Sequence, residues 1–155
     1  MLYLLEKYTN RYTAILAAKH FAVDIDRSNQ AIYAMFTGQK IHKDNAILKA
    51  QEYIEKNYQG KLSVEELSKM ATIGRRTFER RFKQATYNTV LEYIQRVKVE
   101  AAKRLFEDSR KNIHEVMYEV GYADLKAFRE LFKKLTGVTP VEYRNKYNKL
   151  AAAIS

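Results

Sequence analysis

Residues 113–144 read IHEVMYEVGYADLKAFRELFKKLTGVTPVEYR. Asn112, immediately before them, is an N-cap residue type, so a helix starts there and ends near Gly121. Asp124 caps the next helix, in which Phe128, Leu131, Phe132 and Leu135 recur at the spacing of one helical face. Gly137 ends it, and Thr139-Pro140 opens another, with Pro at the first helical position. Two helices joined by a short turn, with a small residue where they meet, make a helix-turn-helix unit.

The same plan occurs upstream. Shifting the chain by 50 residues places Glu65 on Glu115, Leu67 on Met117, Met70 on Val120, Phe78 on Phe128, Phe82 on Phe132, Lys83 on Lys133 and Thr86 on Thr136. The same shift sets Ala71 on Gly121 at the turn. Two amphipathic helices share some Phe and Leu spacing by accident. The paired turn and the repeated F-x-x-x-F argue instead for duplication.

Working outward, the chain from Asp44 to about 148 carries helical patterning almost throughout, and seven helices are expected. Asp44 caps the first, whose face Ile47, Ala50, Gln51, Ile54 continues to Asn57 before Gly60 stops it. Ser63 heads SVEE, a Ser-x-x-Glu capping box, for a short second helix. The third spans about Arg75 to Gln84 and the fourth, the longest, about 89–108. The three around residues 112–148 complete the set. Before them, residues 1–26 read as a helix with an apolar stripe of Leu4, Tyr8, Tyr12, Ile15 and Leu16. Residues 27–43 read as a connector. The expected fold class is all-α: two helix-turn-helix subdomains, 62–84 and 112–136, joined by a long central helix in a homeodomain-like arrangement, with an N-terminal helix, a connector and a short tail at 149–155.

Composition agrees. One Pro and five Gly in 155 residues leave room for few turns, which favours long helices over many short strands. No cysteine means no disulfide framework, thiolate metal site or cysteine nucleophile. No apolar run reaches the roughly 18 residues of a membrane span. The opening MLYLLEKYTNRY lacks the basic n-region of a secretory signal, so an intracellular protein is expected. The 28 Lys and Arg against 18 Asp and Glu, a net charge of +10, favour a polyanionic partner.

The second helix of each unit sets where that charge is presented. With Phe78 and Phe82 turned to the core, Arg76, Arg80 and Lys83 fall on the opposite side, beside Arg75 and Glu79. In the other unit Lys126, Arg129 and Lys133 line the outer face, with Glu130 alongside and Leu125 at the N-terminal edge. A solvated charged face is the ordinary meaning of such a pattern. Two equivalent helices carrying it suggest more, because Arg and Lys in a major groove reach guanine O6 and N7, and those that miss the bases hold phosphates. A central helix of roughly 20 residues is about 30 Å long at ~1.5 Å per residue, close to the ~34 Å between successive major grooves. It also carries Arg96, Lys98, Lys103 and Arg104, some positioned to lie over phosphates and others to face solvent.

LSVEELSKMA, RRTFERRFKQAT and the run 113–144, with its V-G-Y turn, F-x-x-x-F-K and G-x-T-P-x-x-Y-R, together resemble the DNA-binding domain of the AraC/XylS family of bacterial transcription regulators. The resemblance covers the whole domain, 44–148. It implies a cytoplasmic, nucleoid-associated regulator, an activator that contacts RNA polymerase, with double-stranded promoter DNA as its partner and no cofactor. Carried over by position, it implies base-facing roles for Arg76, Glu79, Arg80, Leu125, Lys126 and Glu130. Phosphate contacts fall to Arg75, Lys83, Arg96, Arg129 and Lys133. Glu130 stands where many members carry Arg. It accepts from cytosine N4 but repels phosphates, and Leu125 offers only apolar contact, which points to weak base reading or backbone docking by the second unit. The family's turn glycine is present at Gly121, with Ala71 matched to it in the first unit.

The run RYTAILAAKHFAVDIDRSNQAIYAMFTGQKIHKDN is similar to the last helix and connector of regulators with a PfpI-type, glutamine-amidotransferase-like sensor domain, the GlxA-type architecture. Residues 1–43 would then be the end of that sensor domain. The alternative is a native accessory helix that dimerises or packs on the DNA reader. On either reading the stripe from Leu4 to Leu16 favours a homodimer.

Catalysis is not expected. His20, His42 and His114 sit in separate elements without metal-ligand spacing, and no G-x-x-x-x-G-K-[ST] or G-x-G-x-x-G occurs. Glu65 and Glu66 sit at a helix N-terminus, where they complement the dipole. Two rival functions stand beside sequence-specific reading: a non-specific basic nucleic-acid binder, and a helical module for an acidic protein partner.

Overall fold

A computed structural model of the protein describes residues 40–149. The expected helix at 1–26 with its apolar stripe, most of the connector and residues 150–155 lie outside them. Among the described residues there are seven α-helices and no strand: α1 (Asn45–Lys56), α2 (Val64–Met70), α3 (Arg75–Thr86), α4 (Val90–Asp108), α5 (Ile113–Glu119), α6 (Leu125–Thr136) and α7 (Pro140–Tyr147). None is long and apolar enough to cross a membrane. The expected cap residues hold, with Ser63 making the first half of its capping box. Ser63 Oγ accepts from Glu66 N–H, Asp124 from Lys126 and Ala127, and Thr139 from Glu142 with Pro140 following. Asn112 forms a full capping box with Glu115.

The described residues fall into two units, 40–56 with Ser63–Leu91, and Asn57–Leu62 with 92–149. In the first, α1 buries the expected face of Ile47, Ala50, Gln51 and Ile54. Gln51, fully buried, accepts from His42 Nε2 at 2.7 Å, so its amide oxygen is satisfied inside the core. Leu67 of α2 and Phe78 and Phe82 of α3 close that core, with the two rings 5.9 Å apart. Arg81 ties α3 to the start of α1 with a two-pronged bond to Asp44, Nε at 2.9 Å and Nη2 at 2.6 Å. The same carboxylate accepts from Ile47 N–H and so also caps α1.

In the second unit Phe132 is the hub. Its ring meets Phe106 edge-on at 5.6 Å, Tyr143 edge-on at 5.5 Å and Phe128 at 5.9 Å, all buried. Such aromatic pairs add roughly 0.5–1.5 kcal/mol each beyond the area they bury. Leu131 and Leu135, expected in this core, are only half-buried at its margin.

The repeat is real, but its register changes at the turn. At the end of α2, Ala71 N–H bonds Leu67 O, Thr72 N–H bonds Lys69 O and Ile73 N–H bonds Ser68 O. At the end of α5 the same three bonds run from Val120 to Val116, Gly121 to Tyr118 and Tyr122 to Met117. The first helices therefore match at a shift of 49, not 50. Thr72 (φ 55°), not Ala71, is the counterpart of Gly121 (φ 92°), and Glu66 rather than Glu65 corresponds to Glu115. Met70 accordingly does not match buried Val120, and its side chain is 56% exposed. The second turn then spends one more residue before Asp124 than the first does before Gly74, which restores the shift of 50 for α3 and α6. From there the copies stay in step. Thr86 and Thr136 each bond back to a Phe carbonyl, and Tyr87 and Gly137 each take a left-handed C-cap.

Candidate nucleic-acid interface

On α3, Arg75, Arg76, Glu79, Arg80 and Lys83 are all exposed, opposite the buried Phe78 and Phe82. The side chains are not equivalent. Arg75 is held by two carboxylates, Nη1 to Glu65 at 3.2 Å and Nε to Glu79 at 3.4 Å. Among the described residues Arg76, Arg80 and Lys83 take no such bond. That leaves three long cations whose charge is available to an outside partner, and one that orients Glu79. All are exposed, so the Arg75 pairs contribute little to folding.

Beside this row lies a cleft of about 540 Å³, walled by Arg76, Glu79, Arg80 and Lys83 and floored by Val64, Val90 and Leu91. Leu91 is 59% exposed. Sequence reasoning passed over it, although it stands out of phase with Val90, Tyr93, Ile94 and Val97, the buried residues of the start of α4. Arg81 was also passed over. It falls on the helix side of Phe78, Phe82 and Ala85, so its wheel position already marked it as an inward-facing cation needing a carboxylate.

On α6, Lys126, Arg129, Glu130 and Lys133 are exposed, and Leu125 is half-buried at the N-terminal edge. This helix carries four basic residues and Glu130, against five basic residues and Glu79 on α3. Both outer faces are thus net positive.

The central helix is the correction. Arg96 is exposed as a phosphate contact requires, but Lys98, Lys103 and Arg104 are buried. Lys103 and Arg104 pair one turn along α4 with Glu100 and Glu107, at 3.2 and 3.1 Å. Tyr143 Oη donates to Glu107, and its burial beside that carboxylate pushes the phenol well above its ordinary range. Lys98 donates to backbone carbonyls instead. A buried ammonium or guanidinium needs such partners, so these three side chains belong to the fold of the second unit. Among the described residues no group of three His, Cys, Asp or Glu is placed to hold a metal ion.

A family model described as a helix-turn-helix domain matches residues 67–146, which include both second helices. The chain is 36% identical over 108 residues to the bifunctional transcriptional activator/DNA repair enzyme AdaA of Bacillus subtilis, covering 70% of this chain and 51% of that protein. It spans about half or less of the length of the first curated relatives it matches. Among solved structures, the C-terminal domain of AraT, a response regulator from Geobacillus stearothermophilus, superposes with a TM-score of 0.65 at 25% identity, covering 68% of this chain and 88% of that one. The DNA-binding domain of AdpA, a global transcriptional factor in complex with a target DNA, gives 0.64 at 29% identity, covering 67% and 94%. With the motif runs, the duplicated unit and the all-helical fold in agreement, this chain belongs to the AraC/XylS family of helix-turn-helix DNA-binding proteins.

Proposed function

We propose that this chain is the DNA-reading part of a bacterial transcription regulator, and that α3 and α6 each enter a major groove of promoter DNA. The observation that carries the reading is the pair of exposed, net-positive faces set opposite buried Phe pairs in the two copies of one unit. On this reading Arg76, Glu79 and Arg80, and Leu125, Lys126 and Glu130, face bases. Lys83, Arg96, Arg129 and Lys133 hold phosphates, as would Arg75 once released from its carboxylates. The DNA-binding domain spans 44–148, with units 62–84 and 112–136. The two recognition helices address successive grooves, as the length of α4, 19 residues or about 28 Å at ~1.5 Å per residue, supports. We further propose that residues 1–43 are the end of a PfpI-type sensor domain and supply a homodimer contact. The regulator activates by touching RNA polymerase and works in the cytoplasm. No catalytic role is assigned to this chain.

The test is selection of binding sites from random duplex DNA at about 150 mM salt, where non-specific binding is weak. A bipartite site with half-sites about one helical turn apart is expected. Arg76→Ala or Arg80→Ala should cost about 1–3 kcal/mol and relax preference at particular bases of one half-site. Tight, salt-sensitive binding without enrichment of any sequence would replace this reading with that of a non-specific binder. Enrichment of one half-site alone would make α6 a backbone clamp.

A further inference from the structure

Lys98, in the part of α4 that belongs to the second unit, is a buried cation held by backbone carbonyls rather than by a carboxylate. It is 7% exposed, and its ammonium donates to three backbone carbonyls: Tyr58, Gly60 at 3.3 Å and Val120 at 3.0 Å. An ammonium has three N–H donors, and these carbonyls use all of them. Tyr122 lays its ring 5.7 Å from the same nitrogen. Val120 is the C-cap of α5, where helix carbonyls lack partners and the dipole favours a cation. Gly121, next along, comes so close that a Cβ there would lie 2.6 Å from Lys98 Nζ and 2.9 Å from Gln59 O. Burial lowers the pull of this amine on its proton, so the carbonyls must hold the charged form against desolvation.

We propose that Lys98 is a positioning residue for DNA reading: its ammonium bolts the loop 58–60 to the turn 120–122 and so sets the direction in which the chain enters α6. The turn runs from this bolt through Tyr122 and Ala123 to Asp124, the N-cap of the recognition helix. Lys98 touches no DNA itself. A methionine in its place keeps the aliphatic stem but leaves three carbonyls at one site without their donor. The loop and turn then lose what holds them at a fixed separation.

Two measurements test this on the full chain with Lys98→Met. Amide hydrogen exchange reads the turn directly. The Tyr122 N–H, bonded to Met117 O, should lose protection by about tenfold or more, while Ile73 N–H, its counterpart in the first unit, keeps the wild-type value. Competition between duplexes mutated in one half-site or the other reads the consequence, and this part rests on the function proposed above. Discrimination at the α6 half-site should fall by about tenfold with the α3 half-site unaffected. Gly121→Ala, which pushes on the same bolt, should reproduce both patterns if Lys98→Met does not fold. Equal loss of protection at Tyr122 and Ile73, or equal loss at both half-sites, would show general destabilisation and overturn the assignment, as would wild-type behaviour in both assays. A wild-type chain with no α6 half-site preference would make α6 a backbone clamp and overturn the DNA consequence, leaving base reading to α3. The exchange result would still decide the bolt.

Discussion

Replacing Gly121 by alanine, with Gly137→Ala as its partner, separates backbone strain from close packing. Both glycines hold a left-handed backbone, at φ 92° and 86°. Each substitution therefore incurs the strain of a Cβ at positive φ, about 1–2 kcal/mol. For Gly137 that is all, because nothing lies within 4 Å of its missing Cβ. At Gly121 the Cβ meets Lys98 Nζ at 2.6 Å and the backbone oxygen of Gln59 at 2.9 Å. The lysine end is flexible, but it moves only by giving up carbonyl bonds worth roughly 1.5–3 kcal/mol for a charged donor. Gly121→Ala should thus cost about 2.5–5 kcal/mol, some 1.5–3 kcal/mol more than Gly137→Ala. Urea unfolding measures both, provided the slope with denaturant is unchanged. In a Lys98→Met background the excess should shrink, because the clashing ammonium is gone. Equal costs for the two glycines, within about 0.5 kcal/mol, would refute the reasoning and reduce Gly121 to a conformational role.

Further outcomes follow from the same packing. Thr72, a β-branched residue at φ 55°, is exposed, so Thr72→Gly should raise stability by about 1 kcal/mol in urea unfolding. Phe132→Ala should cost about 4–5 kcal/mol and exceed Phe78→Ala by roughly 1 kcal/mol, because its ring has the additional partners Phe106 and Tyr143. The hydrogen bonds from Arg81 hold the Asp44 carboxyl below its ordinary value of 3.8. A carboxyl lowered by folding contributes stability that is complete above that ordinary value and is withdrawn as pH falls through the lowered one. Arg81→Gln should therefore be less stable than wild type at pH 6, and the gap should narrow toward pH ~3 and below, as followed by urea midpoints. A gap that does not change with pH would remove the pair from the acid response.

Much of this was legible in residue order because the signals are local. Caps at Ser63, Asn112, Asp124 and Thr139 act over three residues, and a helix face is a matter of period alone. The seven helices, the buried Phe pairs and the outward placing of Arg76, Arg80, Lys126 and Arg129 all rest on such rules. A fixed shift of 50 also aligned α3 with α6 correctly. It misaligned the turns, since one inserted residue leaves the Phe spacing intact and only backbone bonds reveal that Thr72, not Ala71, stands where Gly121 does.

The fate of the central cations could not be read that way. Arg96 and Lys98 are two residues apart on one helix, and nothing in their types separates an exposed arginine from a buried lysine. The difference lies in carbonyls from residues 58, 60 and 120, which chain folding alone brings to one nitrogen. Burial of a charge depends on every group that arrives around it, so it is a property of tertiary neighbours. The exposed basic faces of α3 and α6 were written along the chain; the bolt that holds the second turn exists only in three dimensions.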